Sequence, residues 1–551
     1  METANDATEL HQIEEELHVE ILPGTEIMRD IGSHHFLKKG SSQVLVPQPS
    51  ANKNDPLNWS LLWKGLSIAT ATTVSFSQGL GSLALAPMFP DLIEAFDSDL
   101  AGAVQFTGIT MLVLGFSNFI WVPMSTAFGR RPVYLLSQLI SLGSCIWRAR
   151  AQTYGSFMGA CEIQGIGAGP AETIQPAVIA DVFFLHDRDF WNSVYWTTYM
   201  GSLTVGPIIS GSMALHTGWR SFWWFNTALI AASFLMALFL FPETKWDRVK
   251  ATEIPGTDKS SQEHTLEKIE HKQTEDLQTP DLIVPDPFPG AKEEKEDMWL
   301  GKGRPSKQQW GFFQPCPNLF STLFVAFWTP WKLFVFPIVE FAAFVDSWSA
   351  SAFLVGNLTQ SQNFAAPPYN YNTEEIGLFN IAILIGAFIG LATAGPLSDY
   401  VSARATKKKG GIREPEMRLP AMIPYVLIMI LGSFVVAYRY QQKWPWQAIV
   451  VIGYGSTGIQ MAALPAIANT YAVDSYKPVA GSLMVAITVN KNLWGYGLSK
   501  FITPWVTDSG FVKPILTNVA LITFWCAFGG VFYWKGKTIR RWSKNSSVHR
   551  L

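Results

Sequence analysis

Five ionisable side chains sit inside long apolar stretches of this chain: Glu162, Glu172, Glu340, Asp346 and Lys491. A charge at the centre of a hydrocarbon-embedded helix costs at least ~2.5 kcal/mol, so each implies a partner, a cavity or a function. A carboxyl group that is neutral in one conformation and charged in another ties proton movement to whatever else those conformations move. The competing reading is structural pairing of Glu162 or Glu172 with Lys491 or a hydroxyl. At ~100° per residue, Glu340 and Asp346 fall ~120° apart and do not both face one central cavity. Glu162 and Glu172 fall ~80° apart and ~15 Å along an axis, compatible with one lining a cavity and one nearer the cytoplasm. Gln78 and Gln460, with Trp196, Trp223, Trp348 and Trp494, are candidates to line a partly polar pocket for an amphipathic or cationic small molecule. Interface anchoring is the competing role for the aromatics.

The elements that must hold these groups are membrane-spanning helices. The 551 residues are 48% hydrophobic, 13% aromatic and only 15% charged, which excludes an ordinary soluble globule. Mean hydropathy is only +0.16 because two polar segments dilute it. Outside them lie about twelve apolar stretches of roughly 20 residues, each long enough to cross a bilayer as a helix. The expected class is an all-α membrane protein of two six-helix bundles. Residues 1–60 read as a disordered tail, 61–241 as the first bundle, 242–325 as a linker, 326–534 as the second bundle and 535–551 as a basic tail. The linker has Lys and Glu runs and Pro280, Pro285, Pro287 and Pro289, a composition that builds no core.

Charge sidedness sets the expected topology. The loop from Pro90 to Gly102 carries Asp91, Glu94, Asp97 and Asp99 without Lys or Arg, whereas Arg130 and Arg131 follow the second span and Lys407, Lys408, Lys409 and Arg413 follow the eighth. Positive loops stay inside, so both termini are expected in the cytoplasm of a multi-pass, plasma-membrane protein. Asn357-Leu358-Thr359 is a glycosylation sequon expected in an outer loop after a seventh span at about Trp331 to Leu354. A net charge of −2 argues against a nucleic-acid surface, and Cys145, Cys161, Cys316 and Cys526 form neither a disulfide framework nor a metal pair.

Two stretches repeat one layout. Phe116 to Leu136 joins two spans through Gly129-Arg130-Arg131-Pro132, and Ile389 to Lys409 does so after Gly395, Leu397 and Asp399. The first keeps the end, and the second the start, of the Gly-x-Leu-x-Asp-Arg-x-Gly-Arg-Arg motif that links the second and third helices of each half in the major facilitator superfamily. Asp55-Pro56-Leu57-Asn58-Trp59-Ser60 is similar to the approach to the first helix in fungal members, and Gly201, Gly206, Pro207 and Gly211 resemble the signature of the antiporter branch. Gln164-Gly165-Ile166-Gly167 resembles that family's Arg-x-x-Gln-Gly-x-Gly string, with Cys161 at the Arg position. The small residues of the fifth span also form a packing ridge at Ser202, Gly206 and Ser210.

The resemblance implies a twelve-helix transporter, with Gly129, Arg130, Arg131, Asp181, Gly395 and Asp399 at the gate and an Arg130–Asp181 pair as its latch. An ordinary surface pair of little energetic worth is the competing reading of Arg130 and Asp181. The resemblance also implies proton-driven export of a small organic molecule, with no cofactor beyond the proton gradient, and a monomer whose partners are substrate and bilayer. Uptake of an organic cation such as a polyamine is the runner-up, and a non-transporting nutrient sensor is the third reading. Gly453, Gly455 and Gly458 match a dinucleotide fingerprint without its βαβ setting, and Gly536-Lys537-Thr538 lacks the first glycine of a phosphate loop, so neither supports an enzyme.

Overall fold

Side-chain caps, prolines and single glycines decide where the helices begin and end. The computed structural model describes residues 26–27, 47, 49–50, 52–246, 299–314, 318–409, 412–476, 479–543 and 546. The acidic tail around Glu14, the proline-rich part of the linker and Cys316 lie outside the described residues.

Asp55 accepts a hydrogen bond from the Leu57 amide (3.0 Å) and organises the turn that leads into α1, Leu61–Leu80. Asp99 caps α2, Leu100–Phe128, by accepting from the Gly102 amide (2.8 Å). At Gly129 the backbone takes φ +110°, a conformation that glycine alone adopts freely, and α3, Arg130–Arg150, starts at the next residue. The fourth span is interrupted at Pro170 and Pro176, since proline lacks the donor that a continuous helix needs. Its pieces, Tyr154–Ala168, Pro170–Thr173 and Gln175–Val182, are together called α4. Helices α5, Leu185–Thr217, and α6, Trp219–Leu240, complete the first bundle. The second has α7, Pro337–Phe364; α8, Asn380–Lys408; α9, Ile423–Gln442; α10, Gly455–Ser475; α11, Ala480–Ser509; and α12, Val512–Ser543. A lead-in helix, Thr373–Leu378, precedes α8.

Among the described residues, seven helices are long and apolar enough to cross a membrane by length and composition. Helices α1, α3, α5 and α11 fall short because of polar residues, many of them turned into the bundles, and α4 because its pieces, of 15, 4 and 8 residues, are each too short to span a bilayer. Ser75 donates to Gln175 (2.9 Å), Ser77 shares a hydrogen bond with Ser233 (2.9 Å), and Gln78 donates to Ser137 (3.1 Å), all buried. In the first bundle α1 packs on α5 and α6, and α3 on α4 and α6; in the second, α7 packs on α10, α11 and α12, and α8 on α10. The bundles meet along two seams, α2 against α11 and α5 against α8 with its lead-in helix.

Five expectations need correction. The seventh span starts later than expected, at Pro337, and the residues before it form a separate helix, Leu319–Leu333, lying against α2 and α11. Its Trp331 stacks on Phe119 of α2, with ring centroids 4.6 Å apart. The Asn357 sequon is accordingly no outer loop; it lies within α7 with Asn357 only 1% exposed. Part of this polar run finds partners on other segments: Lys443 donates to Asn363 (3.0 Å) and Asn380 to Gln360 (3.3 Å). Replacing Asn357 with Gln is therefore expected to leave electrophoretic mobility and endoglycosidase response unchanged; a shift would show that this asparagine carries glycan.

The second motif stretch is not a loop either, since α8 runs on through Gly395 and Asp399 to Lys408. Trp59, a residue type suited to the membrane interface, is instead fully buried, with its indole donating to the Asn54 carbonyl (3.0 Å). The last part of the linker is ordered, because residues 299–314 are stitched to the first bundle. Gly303 exchanges backbone hydrogen bonds with Asn58 (2.9 Å) and Ser60 (3.1 Å), and the Glu243 amide donates to Gln309 (2.8 Å).

Candidate functional site

Glu172 lies on the short middle piece of α4, where the interrupted helix turns its side chain toward the α2/α11 seam. It is 1% exposed and forms an ion pair with Lys491 of α11. Its second oxygen accepts from Asn492 Nδ2 (3.2 Å), and neighbouring Thr173 donates to Asn118 of α2 (2.6 Å). The pair thus joins the two bundles at mid-depth.

Asp346 is on α7, and its carboxylate accepts from Asn469 Nδ2 of α10 (3.2 Å). It is 8% exposed, and among the described residues no cation lies within ion-pair distance of it. Glu340 occupies the first turn of α7, where the helix dipole favours a carboxylate. It lies on the ridge with Phe344 and Trp348, four residues apart. Phe344 stacks on Trp525 (4.2 Å) and Trp348 meets Trp494 (4.9 Å), so these aromatics serve the α7/α11/α12 contact rather than the face that carries Asp346. Gln460 is buried and donates to the Ser349 carbonyl (3.2 Å). Glu162 is exposed on α4 and, among the described residues, makes no ion pair.

The small residues of α5 divide between two neighbours. Gly206 faces the backbone of Leu80, and Ser210 donates to the Ala84 carbonyl (2.7 Å), holding the first bundle together. Gly211 and the Pro207 carbonyl face Thr373 and Gly377 across the seam; a Cβ on Gly377 would stand 2.7 Å from Pro207 O. Gly201 faces Leu384 of α8 at ordinary contact distance. On the other seam, a Cβ on Gly108 would meet Ser499 Cβ at 2.9 Å and one on Gly115 would meet Asn492 Cβ at 2.8 Å. These glycines are seven residues apart, as are their partners, so one face of each helix meets the other over two turns. The bundles are therefore sealed toward the face that carries Asp91, Glu94, Asp97 and Asp99, here called the acidic face.

On the opposite, basic face, Arg130 Nε lies 3.1 Å from Asp181 at the end of α4. The second bundle repeats this arrangement: Arg418, just before α9, pairs with Asp474 at the end of α10. Glu243, which follows α6, accepts from the Arg130 (2.9 Å) and Arg131 (3.0 Å) amides and so caps α3. In the second bundle the charges are exchanged, because Arg540 of α12 donates to Glu416 (2.8 Å) and also pairs with Glu414. Burial works against ionisation of Glu414, yet Lys537 and Arg540 hold its carboxyl below the usual range. Gly395 and Asp399 are exposed, and Asp399 lies 3.7 Å from Arg413.

Sequence reasoning missed Glu243, Arg418, Asp474, Glu414, Glu416 and Arg540. The available signal was positional: Asp181 and Asp474 each close the fourth span of their half. It also missed Arg148 of α3, fully buried over Trp223 (4.5 Å) and donating to Thr110 (3.2 Å) and the Gly81 carbonyl (3.4 Å). A guanidinium from α3 thus sits beside Cys161, the α4 position where the motif has Arg.

This architecture agrees with the known proteins it resembles. A Schizosaccharomyces pombe protein named as an uncharacterized MFS-type transporter is 27% identical over 560 residues, covering 96% of this chain and 94% of that one. A probable efflux pump of Aspergillus flavus is 23% identical over 421 residues, covering 76% and 89%. The crystal structure of a D-xylose-proton symporter shares the fold, with a TM-score of 0.52 at 13% identity over 86% of this chain and 97% of that one. The family model for the Major Facilitator Superfamily matches residues 71–499. With two six-helix bundles, a charge pair across their seam and that match, the chain belongs to the major facilitator superfamily and is a multi-pass membrane transporter of small molecules, not an enzyme.

Proposed function

We propose that this transporter exports a small amphipathic or cationic organic compound in exchange for protons, with its basic face and both termini in the cytoplasm and the plasma membrane as its site. The observation that carries the reading is the contrast between two buried acids: Glu172 is neutralised by Lys491, whereas Asp346 has the neutral amide of Asn469. A carboxylate without a cation exchanges a proton for a positively charged or hydrogen-bonding guest as its access changes sides. The efflux name of the Aspergillus relative favours the outward direction.

Everted vesicles test this. With an acid interior and tetraphenylphosphonium as probe, the parent protein is expected to accumulate the cation and release protons as it does so, and Asp346→Asn to abolish both at unchanged protein level. Accumulation that persists at the parent rate in Asp346→Asn would remove Asp346 from the coupling step. A second reading, uptake of an organic cation, is favoured by the excess of Glu172 and Asp346 over Lys491 in the same region. It predicts accumulation by whole cells and none by everted vesicles.

A further inference from the structure

On the basic face of the first bundle, two segments distant in sequence form a concave pocket of about 570 Å³. The residues before α1 supply Lys53, and the end of the linker supplies Trp299, Lys302, Arg304 and Ser306. Three of the lining side chains are cations and none is an acid. Among the described residues, Lys53, Lys302 and Arg304 form no ion pair. Nearby Asp55 is fully buried and committed to the Ser50 (2.9 Å) and Leu57 (3.0 Å) amides.

The backbone holds these cations together despite their repulsion. Arg304 N donates to Lys53 O (3.2 Å), Gly303 N to Asn58 O (2.9 Å) and Lys302 N to Trp299 O (2.9 Å). A Cβ on Gly303 would meet Asn58 O at 2.8 Å, so only glycine permits this approach. The Lys53 ammonium lies 6.0 Å from the Trp299 ring. Just beyond the pocket, Leu61 and Leu62 are 84% and 67% exposed and mark where the apolar surface of α1 begins. The pocket therefore lies at the level of lipid headgroups, where a preorganised set of donors and positive charge suits an oxyanion.

We propose that this pocket binds a phosphate ester, either the headgroup of an anionic phospholipid or a free organic phosphate, and that binding clasps the end of the linker to the start of α1. Lys53 contributes from one segment and Lys302 and Arg304 from the other, so the ligand bridges both.

The full chain in phosphatidylcholine nanodiscs, with or without phosphatidylinositol 4-phosphate, tests the lipid source, and titration with inositol hexakisphosphate tests the free one. At least one probe is expected to raise the melting temperature of the parent. In Lys302→Ala/Arg304→Ala, and in Lys53→Ala, affinity for it should fall roughly tenfold or more. Lys332→Ala, outside the pocket, should keep parental affinity. These side chains are on the surface, and an unchanged melting temperature without probe verifies folding. Stabilisation by the nanodisc lipid alone identifies a headgroup, and stabilisation by the soluble probe a free phosphate ester. No stabilisation by either, or equal stabilisation of parent and pocket variants, overturns the proposal.

Discussion

Glu172→Gln is expected to lower the melting temperature sharply and to reduce transport at least tenfold. The substitution leaves the Lys491 ammonium, 13% exposed, without its counter-charge between the bundles. Removing one partner of a buried pair costs ~3–5 kcal/mol, most of it the penalty of the stranded charge. Glu172→Gln/Lys491→Met removes both charges and should restore the melting temperature, because an apolar replacement of similar volume is tolerated where a lone charge is not. Flux through proteoliposomes then separates two roles. If the double variant regains stability but not transport, the pair takes part in the conformational cycle; if it regains both, the pair is structural and the cycle runs without it.

The second large effect is expected at the α2/α11 seam. Gly115→Leu places a branched side chain where a single Cβ would already stand 2.8 Å from Asn492 Cβ. Side chains of this size do not fit between helices that touch at backbone level, so the seam must open toward the acidic face. The six-helix units are expected to stay intact, since the atoms nearest to such a Cβ all belong to Asn492 of the other bundle. Flux should fall more than tenfold while expression persists. Gln105 donates to the Ser499 carbonyl across this seam (2.9 Å), so a Gln105→Cys/Ser499→Cys pair should cross-link readily in the parent and poorly with Gly115→Leu. Undiminished cross-linking would show that the seam absorbs the added volume.

Much of the architecture was legible from local signals. Apolar runs of bilayer length, the glycine before Arg130 and the loop charges each act within a few residues of chain. Even the ~120° offset between Glu340 and Asp346 follows from helix geometry, and the structure places the two on different faces of α7. Where reading failed, the deciding contact was remote. Asn357 to Asn363 has loop composition, yet the run is helical and packed inside, with Asn380, Lys443 and Ala86 of other segments bonding Gln360, Asn363 and Ser361. Trp59 has the character of an interface residue, but the linker segment around Gly303 covers it.

The amino-acid sequence alone determined a helical membrane protein of two related halves, the sidedness of its charges and a short set of costly ionisable groups. Hydropathy, prolines and glycines specify these through interactions between near neighbours. Only the tertiary structure decided that Glu172 meets Lys491, 319 positions away, that Asp346 is left with an amide, and that Arg148 fills the space beside Cys161. Which charge is paired depends on which helices pack together, and that is set by the whole of two bundles rather than by any stretch within them.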